Sequence, residues 1–130
     1  MKKVGKLEGA TLDLWVARAE GRCLHEKQRA SMGEGGTEYF CEVCDEPIYG
    51  SITRRDWKPS TNWLQGGPII ERERLEIMLR MTAGEWQGEW RAINIWSDRE
   101  NRYAQAYGDT PLIAAMRCFV ASKFGAEVDD

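Results

Sequence analysis

Histidine is nearly missing from this 130-residue chain, where His25 stands alone. Any Ser-His or Cys-His catalytic pair therefore has a single candidate imidazole. Long apolar runs are missing too. None approaches the roughly 20 residues that span a bilayer, and Met1 to Glu8 is polar, without the apolar stretch of a signal peptide. The expectation is a cytoplasmic protein that stays where it is made, with no membrane partner. Cysteines there stay reduced, so Cys23, Cys41, Cys44 and Cys118 read as thiols or metal ligands before disulfides. An excess of positive charge is likewise absent: 18 Lys and Arg against 21 Asp and Glu leave a net charge of −3. That argues against general nucleic-acid binding or an anionic membrane surface. Local basic clusters at Lys2-Lys3-Lys6 and Arg54-Arg55-Lys58 suit a solvated surface or a small phosphate contact.

What is present is ordinary globular material with one excess. Hydrophobic residues are 42% and charged residues 30% of the chain, enough for one packed core and one domain at this length. The excess is tryptophan, at positions 15, 57, 63, 86, 90 and 96. Each buries a large apolar area, so several belong to a core and the rest are free to line a binding surface.

Two helices are legible. Leu12, Trp15, Val16 and Ala19 form one apolar stripe over residues 11–20, with Thr11 as N-cap, Asp13 in the first turn and Gly21 as the stop. Asp109-Thr110-Pro111 opens a second helix over 111–124, with Pro111 at the first helical position and Gly125 at the end. Leu112, Met116, Phe119 and Val120 run along one side of it. Ala126 to Asp130 reads as an acidic, frayed tail.

Between the helices the period changes to two. Leu75, Ile77, Leu79 and Met81 alternate with Glu76, Met78, Arg80 and Thr82, which reads as a half-buried strand, and Ala83-Gly84-Glu85 turns the chain, with Gly88 close behind. Trp90 to Trp96 is a second strand, with Trp90, Ala92, Asn94 and Trp96 on one face. Ser97 to Asn101 then turns into a third, Arg102 to Tyr107. Short polar turns between strands mean an antiparallel meander. The predicted fold class is α+β: an antiparallel meander sheet of three to five strands, with two helices packed on one face. Residues 22–58 read as an irregular insert, with a flexible loop at Ser31–Gly36, a short strand within Glu38–Cys44 and a weak strand at Ile48–Ile52.

Two stretches carry chemistry. In Pro59-Ser60-Thr61-Asn62-Trp63-Leu64-Gln65-Gly66-Gly67-Pro68-Ile69-Ile70-Glu71, the Gly-Gly-Pro suits a tight turn feeding a short helix with Pro68 at its first position. Such a start offers backbone N–H groups to a carboxylate or phosphate. Ser60, Thr61, Asn62 and Gln65 add donors, Trp63 a stacking face, and Gly66, Gly67 and Glu71 complete the candidate ligand site. The plain alternative is that these polar residues serve their own turn while Trp63, Ile69 and Ile70 fill the core. The ending Gly-Lys-Ser/Thr of a phosphate loop is absent.

The second stretch is Cys41-Glu42-Val43-Cys44, whose spacing lets both thiolates reach one tetrahedral ion. Cys23 and His25 upstream complete a Cys₃His set for structural zinc, against the alternative of ordinary strand thiols. A redox dithiol fits poorly, because Asp45-Glu46-Pro47 follows where a thioredoxin-like site would run into a helix. No catalytic residue is assigned. Glu71 and Glu73 alternate with Arg72 and Arg74, which suits ion pairing at a surface.

The Pro59–Glu73 stretch, together with Tyr107-Gly108-Asp109-Thr110-Pro111-Leu112 and its continuation to Gly125, resembles the NinX-like family of small proteins of tailed phages and prophages. Leu14-Trp15-Val16-Ala17 is similar to that family's N-terminal helix. The resemblance implies a phage accessory protein made in the cytoplasm of a bacterial host, and it carries no chemistry. The chain departs from the family pattern between Arg22 and Lys58, where Cys23, His25, Cys41 and Cys44 sit. The function expected is a non-enzymatic module that binds a host or phage protein, with a small-molecule or anion site at Ser60–Glu71 as the alternative.

Overall fold

A computed structural model describes residues 1–48, 51–95 and 103–129. Its centre is a helix, α3 (Pro111–Phe124), that begins as its sequence dictates. The Thr110 hydroxyl accepts the N–H of Ile113 at 3.1 Å, and Pro111 takes the first helical position. Leu112, Ala115, Met116, Phe119 and Val120 are all buried. The helix lies across an antiparallel meander of strands numbered in chain order, β4 (Glu76–Thr82), β5 (Glu85–Asn94) and β6 (Ala104–Gly108). Close approach depends on Gly108, where a Cβ would stand 2.6 Å from the Ala114 nitrogen.

The α+β class stands, with several boundaries moved. Strand β5 begins at Glu85, five residues before the expected Trp90, because Ala83 and Gly84 both adopt positive φ and close a two-residue hairpin. Gly88 is absorbed by a register shift between the pairs Leu79↔Trp90 and Met81↔Trp86 and does not break the strand. Trp96, the turn at Ser97–Asn101 and Arg102 lie outside the described residues.

There are three α-helices among the described residues, where the sequence suggested two. Helix α1 (Gly9–Glu20) starts ahead of Thr11, with Glu8 as a cap that makes no side-chain bond. It ends at Gly21, φ 70°, as expected. Helix α2 (Trp63–Glu73) replaces the expected Gly-Gly-Pro turn. Its cap is Asn62, whose side chain accepts the Leu64 N–H at 2.9 Å, so Pro68 falls inside the helix rather than at its start. Pro68 forfeits one helical hydrogen bond there, while Gly66 and Ile69 bury the inner side. Both α1 and α2 pack on α3, which alone among the helices lies broadly across the sheet.

The termini meet. Strand β1 (Lys2–Lys3) pairs antiparallel with β7 (Glu127–Val128), and the Val4 N–H donates to the Ala126 carbonyl at 2.9 Å. The expected frayed tail is thus corrected: Val128 is a buried apolar anchor, and Lys3 faces Glu127 across the pair. Asp130 lies outside the described residues.

The insert is a ribbon. Strands β2 (Gln28–Gly33) and β3 (Gly36–Cys41) pair in full register from Gln28↔Cys41 to Gly33↔Gly36. The loop expected at Ser31–Gly36 shrinks to Glu34-Gly35, and the strand expected within Glu38–Cys44 stops at Cys41. Residues 49 and 50 lie outside the described residues, and Ile48, Ser51 and Ile52 belong to no strand. No helix among the described residues is long and apolar enough to cross a membrane.

Candidate functional site

The base of the ribbon gathers Cys23, His25, Cys41 and Cys44. One donor atom from each lies within 4.8 Å of the others. Cys23 Sγ and Cys41 Sγ are 3.6 Å apart, and Cys44 Sγ is 3.3 Å from His25 Nδ1. Zn–S bonds of about 2.3 Å in a tetrahedron set sulfurs about 3.8 Å apart, with sulfur and nitrogen slightly closer. The spacing therefore fits a Cys₃His zinc set.

Local backbone explains the convergence. The Asp45 N–H donates to the Cys41 carbonyl at 2.9 Å, and the Cys41 N–H to the Glu46 carbonyl at 2.9 Å, which folds Cys41–Cys44 into a tight knuckle. Asp45 holds φ 61° just after the second thiol. The Val43 N–H points at Cys41 Sγ, 3.4 Å away. On the other arm His25 takes φ 54°, a left-handed conformation that histidine adopts more readily than most residues, and its Nδ1 meets Cys44 of the knuckle. The pairs Arg29–Asp45 and Arg54–Glu26 brace the two arms.

The thiols do not share one acidity. Cys41 is pushed down to about 6, chiefly by the Cys44 backbone N–H, against burial and with help from His25, the Val43 N–H and Cys23. At Cys44 the Glu46 N–H favours the thiolate, but burial and the sulfurs of Cys41 and Cys23 outweigh it and raise the thiol to about 11. A divalent ion would favour the thiolate at all three sulfurs. Cys118 is apart from this group. It lies in α3, fully buried, and burial pushes its thiol up to about 12.

The residues of the Ser60–Glu71 stretch lie on helix α2 and the segment that caps it, each with its own contacts. Ser60 is 2% exposed, and its N–H donates to Asp13 Oδ1 at 2.9 Å. Asn62 caps α2. Gln65 clamps the preceding loop, accepting the Lys58 N–H at 2.6 Å and donating to the Asp56 carbonyl at 2.8 Å. Gly66 is a wedge, where a Cβ would stand 2.4 Å from the Pro59 carbonyl oxygen. Trp63 is 56% exposed, so it does not plug the core; Thr61 and Glu71 are exposed and Gly67 is half-buried.

Sequence reasoning missed Asp13 and Trp57. Asp13 was read as a first-turn acid serving the helix dipole. It is instead a buried acceptor, and its backbone carbonyl takes the Trp57 indole N–H at 3.0 Å. Burial pushes its carboxyl above the usual value, opposed by the contacts with Ser60 and by Lys58. The Arg22 guanidinium lies 4.1 Å over the Trp57 ring. Around this junction of α1 with residues 54–61 is a pocket of about 410 Å3. The basic cluster Arg54-Arg55-Lys58 was the visible signal, without any sign of the helix it faces.

No curated protein matches the chain. A family model described as bacteriophage P22, NinX, matches residues 3–123, which include the helices, the meander and the ribbon. The resemblance carried by the Pro59–Glu73 and Tyr107–Gly125 stretches is thereby confirmed, and the chain belongs to the phage NinX family.

Proposed function

We propose that this phage accessory protein is a non-enzymatic module that binds a host or phage protein, with one structural zinc fixing the β2–β3 ribbon as its contact arm. The observation that carries the proposal is the convergence of four donor atoms from Cys23, His25, Cys41 and Cys44 within 4.8 Å. A lone two-stranded ribbon is marginal in water, and this one has little apolar surface beneath it: from Gln28 to Tyr39 its residues are exposed. A metal at its base supplies the stability that a core supplies elsewhere.

The non-enzymatic reading is supported by the placement of the reactive groups. The single histidine faces Cys44 inside the cluster, and Cys118 is a buried, high-pKa thiol. The ribbon arm instead presents contact surface. Met32 is 82% exposed, and Tyr39 and Val43 are also open, among Glu34, Glu38, Glu42 and Glu46. Apolar anchors within an acidic field suit a protein partner whose contact surface is basic.

Capture from phage-infected cells, with tagged protein as purified and with Met32→Glu and Tyr39→Glu together, tests this. The expected result is a stoichiometric partner held by the native ribbon and lost with the paired substitutions. Recovery of the same partner by both proteins would remove the ribbon from the interface, and repeated recovery of none would overturn the proposal.

A further inference from the structure

We propose that the outer edge of β4 pairs antiparallel with the same edge of a second copy of this chain, joining the two three-stranded sheets into one across a twofold axis. The inference is independent of the metal cluster and the ribbon arm, and draws on none of their residues.

The meander has the order β4-β5-β6, so β4 and β6 are its edges. The β6 edge is partly in use. Residues 4–6 lie against that strand, and the Arg117 guanidinium donates to the Tyr107 carbonyl at 2.8 Å. Beyond β4 there is no strand among the described residues, and its backbone makes no hydrogen bond among them apart from its pairing with β5. A bare row of N–H and C=O groups is a template for another strand. This one is seven residues long and lacks the usual protection, with no proline and no lysine. Nor does it carry a bulge: the register shift between Leu79 and Met81 puts the extra residues in β5. The edge is also apolar, with Leu79 42% and Met81 50% exposed.

Its sequence is complementary to itself. Ile77 pairs with the buried Ala92, so Ile77, Leu79 and Met81 share the α3 side of the sheet, while Glu76, Met78 and Arg80 share the other. The twofold axis must therefore pass through a residue, because a register centred between residues would set opposite faces side by side. Centred on Met78, it places Glu76 opposite Arg80 twice and Ile77 opposite Leu79 twice. Centring on Leu79 leaves both charges opposite uncharged residues, and centring on Ile77 or Arg80 sets arginines together. Charge thus selects the Met78 register. Glu76 has no ion-pair partner among the described residues. Arg80 bonds Glu89 through Nη1 at 2.9 Å and keeps further N–H donors for the second copy. Both copies contribute one and the same patch, as a closed dimer requires.

The test is sedimentation of the intact protein from about 1 µM to about 1 mM, with amide exchange read at both ends of that range. The expected result is a monomer–dimer equilibrium with a dissociation constant on the order of 10–100 µM, in keeping with a small interface. Exchange at residues 76–82 should slow in the concentrated sample. Glu76→Arg alone and Arg80→Glu alone should each weaken the dimer about fivefold or more, because like charges then face each other. An equimolar mixture of the two single variants should regain native affinity, because each copy supplies the charge the other needs. Melting of each variant verifies that it is folded. No dimer by about 1 mM overturns the proposal and leaves the edge to a strand of another protein or to solvent. So does a dimer that neither substitution weakens, or a mixture of folded variants no tighter than its parts. The exchange reading needs no variant: protection gained at another element, with 76–82 unchanged, overturns β4 as the interface.

Discussion

His25 Nδ1 lies 3.3 Å from Cys44 Sγ, although one residue precedes β2, the other follows β3, and the whole ribbon separates them along the chain. Closing that gap takes a left-handed histidine on one arm and a knuckle ending in left-handed Asp45 on the other. These two left-handed residues bring four donor atoms within the span that one tetrahedral zinc ion would bridge.

Removal of the metal should therefore act locally. With Cys44→Ser, or after prolonged chelation, amide protection in Gln28–Cys41 should collapse while α3 and the meander stay protected. Hydrogen exchange by mass spectrometry reads both regions in one experiment. Equal loss everywhere, or no loss in the ribbon, contradicts the local role.

Asp13 should impose a pH dependence on stability. Its carboxyl is raised in the folded protein by burial, so the folded state holds the proton more tightly than the unfolded chain does. Stability from this group is fully present below the ordinary 3.8 and is lost as pH rises through the raised value. Asp13→Asn keeps an oxygen for the Ser60 N–H and has no proton to lose. Urea melts from about pH 4 to about pH 7 should show the variant gaining on the native protein as pH rises. Parallel curves would contradict this.

The glycine pair in α2 should respond with opposite signs. A Cβ on Gly66 would meet the Pro59 carbonyl oxygen at 2.4 Å and Leu112 Cδ2 at 2.7 Å, so Gly66→Ala should lose about 1–3 kcal/mol. Gly67 has nothing within 4 Å of the same position, and Gly67→Ala should gain about 0.5–1 kcal/mol from helix propensity. Thermal or urea melts of the two variants check the sign.

Arg117 joins α3 to two neighbours, its Nε donating to the Leu7 carbonyl and its Nη1 to the Tyr107 carbonyl, both at 2.8 Å. Arg117→Met removes both bonds and should cost about 1–3 kcal/mol. Arg117→Lys cannot reproduce the two-point geometry and should fall between. Equal stability of all three proteins would show these bonds contribute nothing net.

Legibility from sequence followed how local each cause is. Helix α3 was readable because Thr110, Pro111 and Gly125 punctuate it in place. Helix α2 was not, because Gly66-Gly67-Pro68 has the composition of a turn. What makes it helical is the Asn62 cap and the fit of Gly66 against Pro59 and Leu112, and Leu112 belongs to another helix. Strand β2 contains no β-branched residue, and what marks it is its full-length pairing with β3, a partner its own sequence does not announce. The four metal-site residues were visible as Cys-x-His and Cys-x-x-Cys. That they could meet in one Cys₃His set was legible too; how they meet, through the turn at His25 and the full pairing of β2 with β3, was not. Asp13 was hidden for a similar reason: its partner Ser60 lies 47 residues away.

The most direct measurement is the zinc content of protein purified without chelator, by elemental mass spectrometry, for the native chain and for Cys41→Ser. A Cys₃His site is expected to carry about one equivalent of zinc in the native protein and markedly less in the variant. Native protein that is folded and carries under about a tenth of an equivalent would contradict the zinc-fixed ribbon.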